Sequence, residues 1–322
     1  MKIVFHGQNA KAFRPDFEQL LSGPHAITLL PDALVSAQDQ RAFADADVII
    51  GIKLDATLPK PERLRLYHAP AAGTDAIDQR LLPAGAALCN CHGHERAIAE
   101  YVMTALLLRH VPIPAADRDL RKGQWTYWWG FAEGARNELG DTSIGLLGFG
   151  HIGREIAARA KAFGMRVTVC NRSAVATSDL VDAYFPLEQR EAFMASADAI
   201  VVGLPLLPET NGFVGATALA AMRPTGVLIN VARGPVVDEQ ALYDALSKKT
   251  IAGAIIDTWY VYPTPQNPSP LPARLPFHAL DNCVLTPHMS GWTSGTIRRR
   301  QQTMAGNIER LRSGQPLANV LR

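Results

Sequence analysis

A chain of 322 residues is too long for one ordinary hydrophobic core and suits two domains of common size. With 48% apolar residues, 19% charged residues and a formal net charge of +2, its composition is that of a soluble globular protein, and no run of Lys and Arg with interleaved aromatics points to a nucleic-acid or membrane surface. No apolar run reaches membrane-span length, and the apolar start at Ile3-Val4-Phe5 is too short for an export signal, so the expected location is the cytoplasm.

In chain order, residues 1–7 read as a first buried strand. Ala42–Gly51 is a helix end, an acidic turn and a β-branched run closed by Gly, and Phe193–Gly203 repeats that design. Such runs are what strands buried on both faces of a parallel sheet look like, and their recurrence suggests two domains that both carry doubly wound sheets. Cys89, Cys91, Cys170 and Cys283 are expected to be reduced thiols. Cys89-Asn90-Cys91-His92-Gly93-His94 resembles half of a zinc site, but no second half is present, so it reads as a strand end and a loop, and no metal is expected.

Glu95–Leu108 reads as a long, mainly apolar helix. The aromatic segment Trp125–Phe131 holds more large rings than one short loop can bury, which suggests an interface or pocket. Thr142–Leu147 is a buried strand, followed by Gly148-Phe149-Gly150-His151-Ile152-Gly153. Arg154–Phe163 then reads as a helix with Ile156, Ala157, Ala160 and Phe163 on its apolar side, stopped by Gly164, and residues 165–170 form the next strand. A G-x-G-x-x-G between strand and helix is the dinucleotide-binding fingerprint. Gly148 allows the tight turn, Gly150 lets a pyrophosphate approach the backbone, and Gly153 lets the helix pack close; the helix N-terminus faces the phosphates.

An Asp or Glu at the end of the second strand would accept the 2′-hydroxyl of NAD and repel a 2′-phosphate. Asn171-Arg172-Ser173 stands there instead, so NADP(H) is preferred, with NAD(H) as the alternative. Downstream, Arg233 follows the apolar run Val227–Ile229, Asp257 closes a strand over 251–257, and His288 follows Val284-Leu285-Thr286-Pro287. Each of these lies at the C-terminal edge of a strand, where open α/β sheets bind ligands. Prolines 263, 265, 268, 270, 272 and 276 impose an ordered surface loop, and Thr293–Leu311 reads as a last helix.

Together the segments Ala72–Asp78, Ile98–Glu100, Glu138–Gly140, the glycine fingerprint, Pro205–Thr210, Ala232–Gly234 and Thr286–His288 resemble the D-isomer-specific 2-hydroxyacid dehydrogenase family over nearly the whole chain. The resemblance implies two Rossmann- or flavodoxin-like domains. Residues 1–95 and 292–322 would form a discontinuous substrate domain, with a cofactor domain, 96–291, inserted into it. It also implies a homodimer and hydride transfer between the cofactor and a small 2-oxo or 2-hydroxy acid. Arg233 would hold the substrate carboxylate and His288 would be the acid/base, while Ala72, Gly73, Thr74 and His94 would contact the substrate. Pro205, Thr210, Val231, Ala232, Asp257 and Gly291 would join residues 148–153 and 171–173 around the cofactor.

The family pairs its catalytic His with a Glu five residues after the Asp of the 257 segment; here that position is Tyr262. A carboxylate raises an imidazole's pKa, whereas a phenol only hydrogen-bonds. The departure leaves three readings: a less basic His288, another acid such as Glu95 or Asp281, or an oxidation that needs no proton transfer. Reduction of a 2-oxo acid such as glyoxylate or hydroxypyruvate is favoured over a formate- or phosphite-type oxidation. A dinucleotide-sensing, corepressor-like binding protein is the alternative of another class.

Overall fold

The computed structural model describes residues 1–130, 132–264 and 266–322; Phe131 and Pro265, along with the side chain of Glu133, lie outside the described residues. The chain divides into two compact units, Met1–His94 with Trp292–Arg322, and Glu95–Gly291.

The first unit begins with β1 (Lys2–His6), α1 (Gly7–Lys11), β2 (Ala26–Leu30), α2 (Ala37–Ala44), β3 (Val48–Ile50), β4 (Leu66–His68) and β5 (Ala87–Cys89). The strands form one parallel sheet in the order β2-β1-β3-β4-β5. Alternation along each strand feeds two separate cores. Ile3, Phe5, Val48, Ile50 and Leu66 enter one layer, and Val4, Ile49 and Tyr67 enter the other with Phe43 of α2. Each fully buried aliphatic side chain contributes roughly 1.5–3 kcal/mol, so a sheet apolar on both faces is stable only when covered on both.

The second unit opens with α3 (Glu95–His110) and α4 (Ile113–Leu120). Then follow β6 (Ser143–Leu147), α5 (His151–Ala162), β7 (Arg166–Cys170), β8 (Ala183–Phe185), α6 (Arg190–Ala195), β9 (Ala199–Val202) and α7 (Ala216–Ala221). β10 (Val227–Asn230), α8 (Glu239–Ser247), β11 (Gly253–Ile256) and β12 (Cys283–Leu285) complete it. The seven-stranded parallel sheet runs β8-β7-β6-β9-β10-β11-β12, the Rossmann order with one strand added. α3 and α5 cover one face through Val102, Met103, Ile156 and Ala160. Phe193, Leu219 and Leu242 of α6, α7 and α8 cover the other.

The chain then returns to the first unit with α9 (Ser294–Ser313), capped by Thr293, whose hydroxyl accepts the Thr296 N–H at 3.1 Å, and closed by left-handed Gly314. Met304, Ala305 and Ile308 of α9 cover the Ile3–Phe5 face of the first sheet.

The two echoing segments occupy equivalent places. β3 lies beside β1 and β9 beside β6, each just across the point where its sheet reverses strand order. Two local expectations change. α5 starts at His151, three residues earlier than its apolar pattern suggests, because Gly150 itself serves as N-cap. Phe163 is 44% exposed, since it is the C-cap residue, where the helix has ended and its apolar face no longer governs. The proline-rich stretch is irregular, and the buried Glu239 carboxylate anchors its end by accepting the Arg274 and Leu275 N–H groups. Among the described residues no helix is long and apolar enough to cross a membrane.

Candidate active site

The glycine turn sits at the β6/β9 switch of the second sheet. Gly148 has φ +100°, and a Cβ there would lie 3.0 Å from the Gly203 carbonyl oxygen of the β9 end, so both the turn and the close approach require glycine. A Cβ on Gly153 would fall 2.7 Å from the Gly148 carbonyl oxygen, so this glycine lets α5 press onto the turn. Gly150 differs, because its Cβ would meet nothing within 4 Å. Phe149 is buried in the core beneath the turn, with the Arg154 guanidinium over its ring, while His151 is exposed and Ile152 half-buried.

Asn171, at the end of β7, is spent locally. Its Oδ1 accepts the Phe149 N–H at 3.3 Å and its Nδ2 donates to the Ser173 carbonyl at 3.0 Å. Arg172 and Ser173 are exposed. After β9, Thr210 is also turned inward. Its hydroxyl donates to the Pro205 carbonyl and accepts the Leu207 N–H, which shapes that loop and leaves Pro205 exposed.

Arg233 follows β10 past the buried Val231 and Ala232. Asn230 fixes this turn, accepting the Ala232 N–H and donating to the Arg233 carbonyl, each at 3.1 Å. A Cβ on Gly234 would lie 2.3 Å from the Trp259 carbonyl oxygen, so no side chain fits where the loop after β10 meets the loop after β11. In that second loop the buried Trp259 donates through Nε1 to the Thr286 carbonyl at 2.7 Å.

The Tyr262 hydroxyl lies 2.8 Å from His288 Nδ1 and accepts the Trp259 N–H at 3.1 Å. Burial raises the phenol pKa above its ordinary value, while the backbone bond and the nearby Arg233 charge oppose that rise. His288 is in the left-handed region at φ +57°, rare for a residue with a Cβ. Asp257, expected beside the cofactor, is fully buried and accepts hydrogen bonds from the 286–290 loop. Gly291 is half-buried at the end of that loop.

In the first unit, Ala72, Gly73 and Thr74 follow β4 and are half-buried, as is His94. No acceptor among the described residues takes the N–H groups of 72–74, which leaves three consecutive donors of the kind that cradle anions. The segment is held from behind: Asn90 Nδ2 donates to the Ala72 carbonyl at 2.8 Å and the Cys91 N–H to the Ala71 carbonyl at 3.0 Å. The buried Arg300 donates to the Pro70 and His92 carbonyls. Cys89 and Cys91 are buried beneath these loops, and burial pushes their thiols up to about 11 and about 12.

Residues 103–290 match the family described as D-isomer specific 2-hydroxyacid dehydrogenase, NAD binding domain. The chain is 32% identical over 305 residues to a glyoxylate reductase of Pyrococcus furiosus, covering 92% of this chain and 83% of that protein. The chain belongs to the D-isomer-specific 2-hydroxyacid dehydrogenase family. A dehydrogenase of this family from Xanthobacter autotrophicus, solved with NADPH and MES, superposes with TM-score 0.79 at 27% identity over 99% of this chain and 97% of its own. An acyclic imino acid reductase solved with NADPH and D-Arg gives 0.78 at 25% identity over the whole of both chains.

This dehydrogenase therefore uses a nicotinamide dinucleotide, and its glycine turn fits one. Two glycines are dictated by protein contacts and the third faces open space, next to a helix N-terminus that no side chain caps. Asn90, Arg300, Tyr101 and Thr286 hold the dehydrogenase's loops, a role to which no motif in the sequence pointed. Arg300 had a usable signal: with Thr296 and Met304 it falls at four-residue spacing on the buried face of α9.

Proposed function

We propose that this dehydrogenase reduces a small 2-oxo acid of the glyoxylate or hydroxypyruvate kind, preferring NADP(H) to NAD(H). The observation that carries the reading is Arg233 and the Tyr262–His288 pair at the C-terminal edge of one sheet, an anion-binding fork near a proton-bearing imidazole. The bound cofactor would supply the hydride; residues 148–153, with Arg172 and Ser173, would hold it. Arg233 binds the carboxylate and polarises the 2-oxo group; in the first unit, the N–H groups of 72–74 form an anion-binding turn of their own. Val231, Ala232, Pro205, Thr210 and Gly291 shape the cofactor side. The glyoxylate reductases among the relatives and the NADPH held by the Xanthobacter structure support the reading. We also infer a homodimer built on the exposed aromatic segment.

The Tyr262 oxygen accepts the Trp259 N–H and pairs with His288 Nδ1, donating to a neutral ring protonated on Nε2 or accepting from one protonated on Nδ1. A phenol favours an imidazolium far less than a carboxylate does. That favours a second reading, reduction of a 2-imino acid. A protonated imine carries its own proton and asks none of His288, and the likeness to the imino acid reductase agrees.

The test is NADPH and NADH consumption with a panel of 2-oxo acids, with and without ammonium. The expected result is turnover with a short 2-oxo acid and a higher kcat/KM with NADPH. Arg172→Ala should narrow that gap by roughly ten- to a hundredfold, the worth of a lost 2′-phosphate pair. A wild-type preference for NADH would overturn the cofactor reading. Activity that appears only with ammonium would select the imine.

A further inference from the structure

Asp257 is completely buried at the end of β11, and its carboxylate is filled by one short loop. Oδ1 accepts the Thr286 hydroxyl at 2.6 Å and the Met289 N–H at 2.8 Å, and Oδ2 accepts the Ser290 N–H at 2.9 Å. Residues 286, 289 and 290 bracket His288, whose backbone is left-handed and whose N–H turns back to the Thr286 carbonyl at 3.1 Å. That carbonyl also accepts Trp259 Nε1. A carboxylate only accepts, so Thr286 must donate to Asp257. The Tyr101 hydroxyl of α3, 2.7 Å from Thr286 Oγ1, must then donate to Thr286. The bonds run in one direction, from helix α3 through Thr286 to the carboxylate.

We propose that Asp257 is a positioning residue for His288: it holds the 286–290 backbone so that His288 stays left-handed with Nδ1 on the Tyr262 hydroxyl. Strained conformations persist only where their surroundings over-determine them, and here a buried anion, with three donors aimed at it, does so. Asparagine at 257 would turn an N–H₂ group toward a donor, Thr286 or the 289–290 amides. The loop would lose at least one anchor and His288 could relax to negative φ, taking Nδ1 away from Tyr262.

The inference rests on reading His288 as the acid/base, so its main readouts are taken without substrate. In Asp257→Asn the amides of Met289 and Ser290 should exchange with solvent at least a hundredfold faster, and ring-nitrogen NMR should show that His288 has lost its bond to Tyr262. NADPH Kd, by nucleotide fluorescence, should change less than threefold, while kcat falls a hundredfold or more with KM nearly constant. Should that variant fail to fold, Thr286→Val serves: it should loosen the same two amides about tenfold, and Thr286→Ser, which keeps the hydroxyl, should restore them. Protected amides together with a tenfold weaker NADPH Kd would overturn the proposal and make Asp257 a cofactor contact. Absence of 2-oxo acid turnover in the wild type would sink the proposed reaction and leave the exchange and NMR results to decide the role of Asp257.

Discussion

At position 262 a phenol occupies the place of a carboxylate, and the neighbouring atoms show how the substitution is accommodated. Tyr262 reaches His288 Nδ1 as a Glu would, while the Trp259 N–H holds the phenol oxygen in place. What is lost is charge, so the protonated His288 needed for reduction should persist only to a lower pH than it would beside a carboxylate. Tyr262→Glu should therefore move the pH at which reduction declines upward by about one unit or more, because an adjacent anion favours the imidazolium. An unmoved pH–rate profile would mean that another acid already serves the ring. The sequence showed the missing carboxylate and the residue in its place, since both are local facts. It did not show that Asp257 faces the 286–290 loop, because that depends on where a loop nearly thirty positions on comes to rest.

Elements were legible where their signals are local. The glycine spacing, the β-branched runs and the helix stops place β6, β7 and β9 almost to the residue and the end of α5 to within one, because turn sterics and burial act within a few positions, although α5 starts three residues early. Arg300 was hidden because the carbonyl it holds, that of Pro70, lies 230 residues away. The aromatic segment between α4 and β6 falls between these cases. Trp125 and Trp129 are 60% and 90% exposed, and Tyr127 and Trp128 are also at the surface; Phe131 lies outside the described residues. So much exposed ring area favours a partner, and a second copy of the chain is the proposed one. Trp129→Ala should weaken dimerisation at least tenfold by sedimentation equilibrium and leave the NADPH Kd unchanged. A wild-type protein that is monomeric at micromolar concentration would sink the dimer.

At the scale of the whole molecule, one buried group ties stability to pH. His68, at the end of β4, is fully enclosed; its Nδ1 faces the Ala69 carbonyl and its Nε2 meets Asn307 Nδ2 of α9 at 3.0 Å. Burial lowers its pKa from 6.5 to about 4. The unfolded chain therefore takes up a proton first as pH falls. The contribution is intact above pH 6.5 and is lost between there and about 4, amounting to about 2–3 kcal/mol by pH 4.5. Urea unfolding at pH 7 and pH 4.5 should show wild type losing that much more than His68→Gln, and parallel losses would contradict it. The bond to α9 has a further meaning, one of timing. The ribosome completes all five strands of the first sheet before the second unit emerges, but the helix that covers the Ile3, Phe5, Val48, Ile50 and Leu66 face comes last. At usual synthesis rates roughly 10–40 s pass in between. The inserted unit can thus reach its final form while the older part of the chain still waits, its apolar face bare, for the helix that completes it.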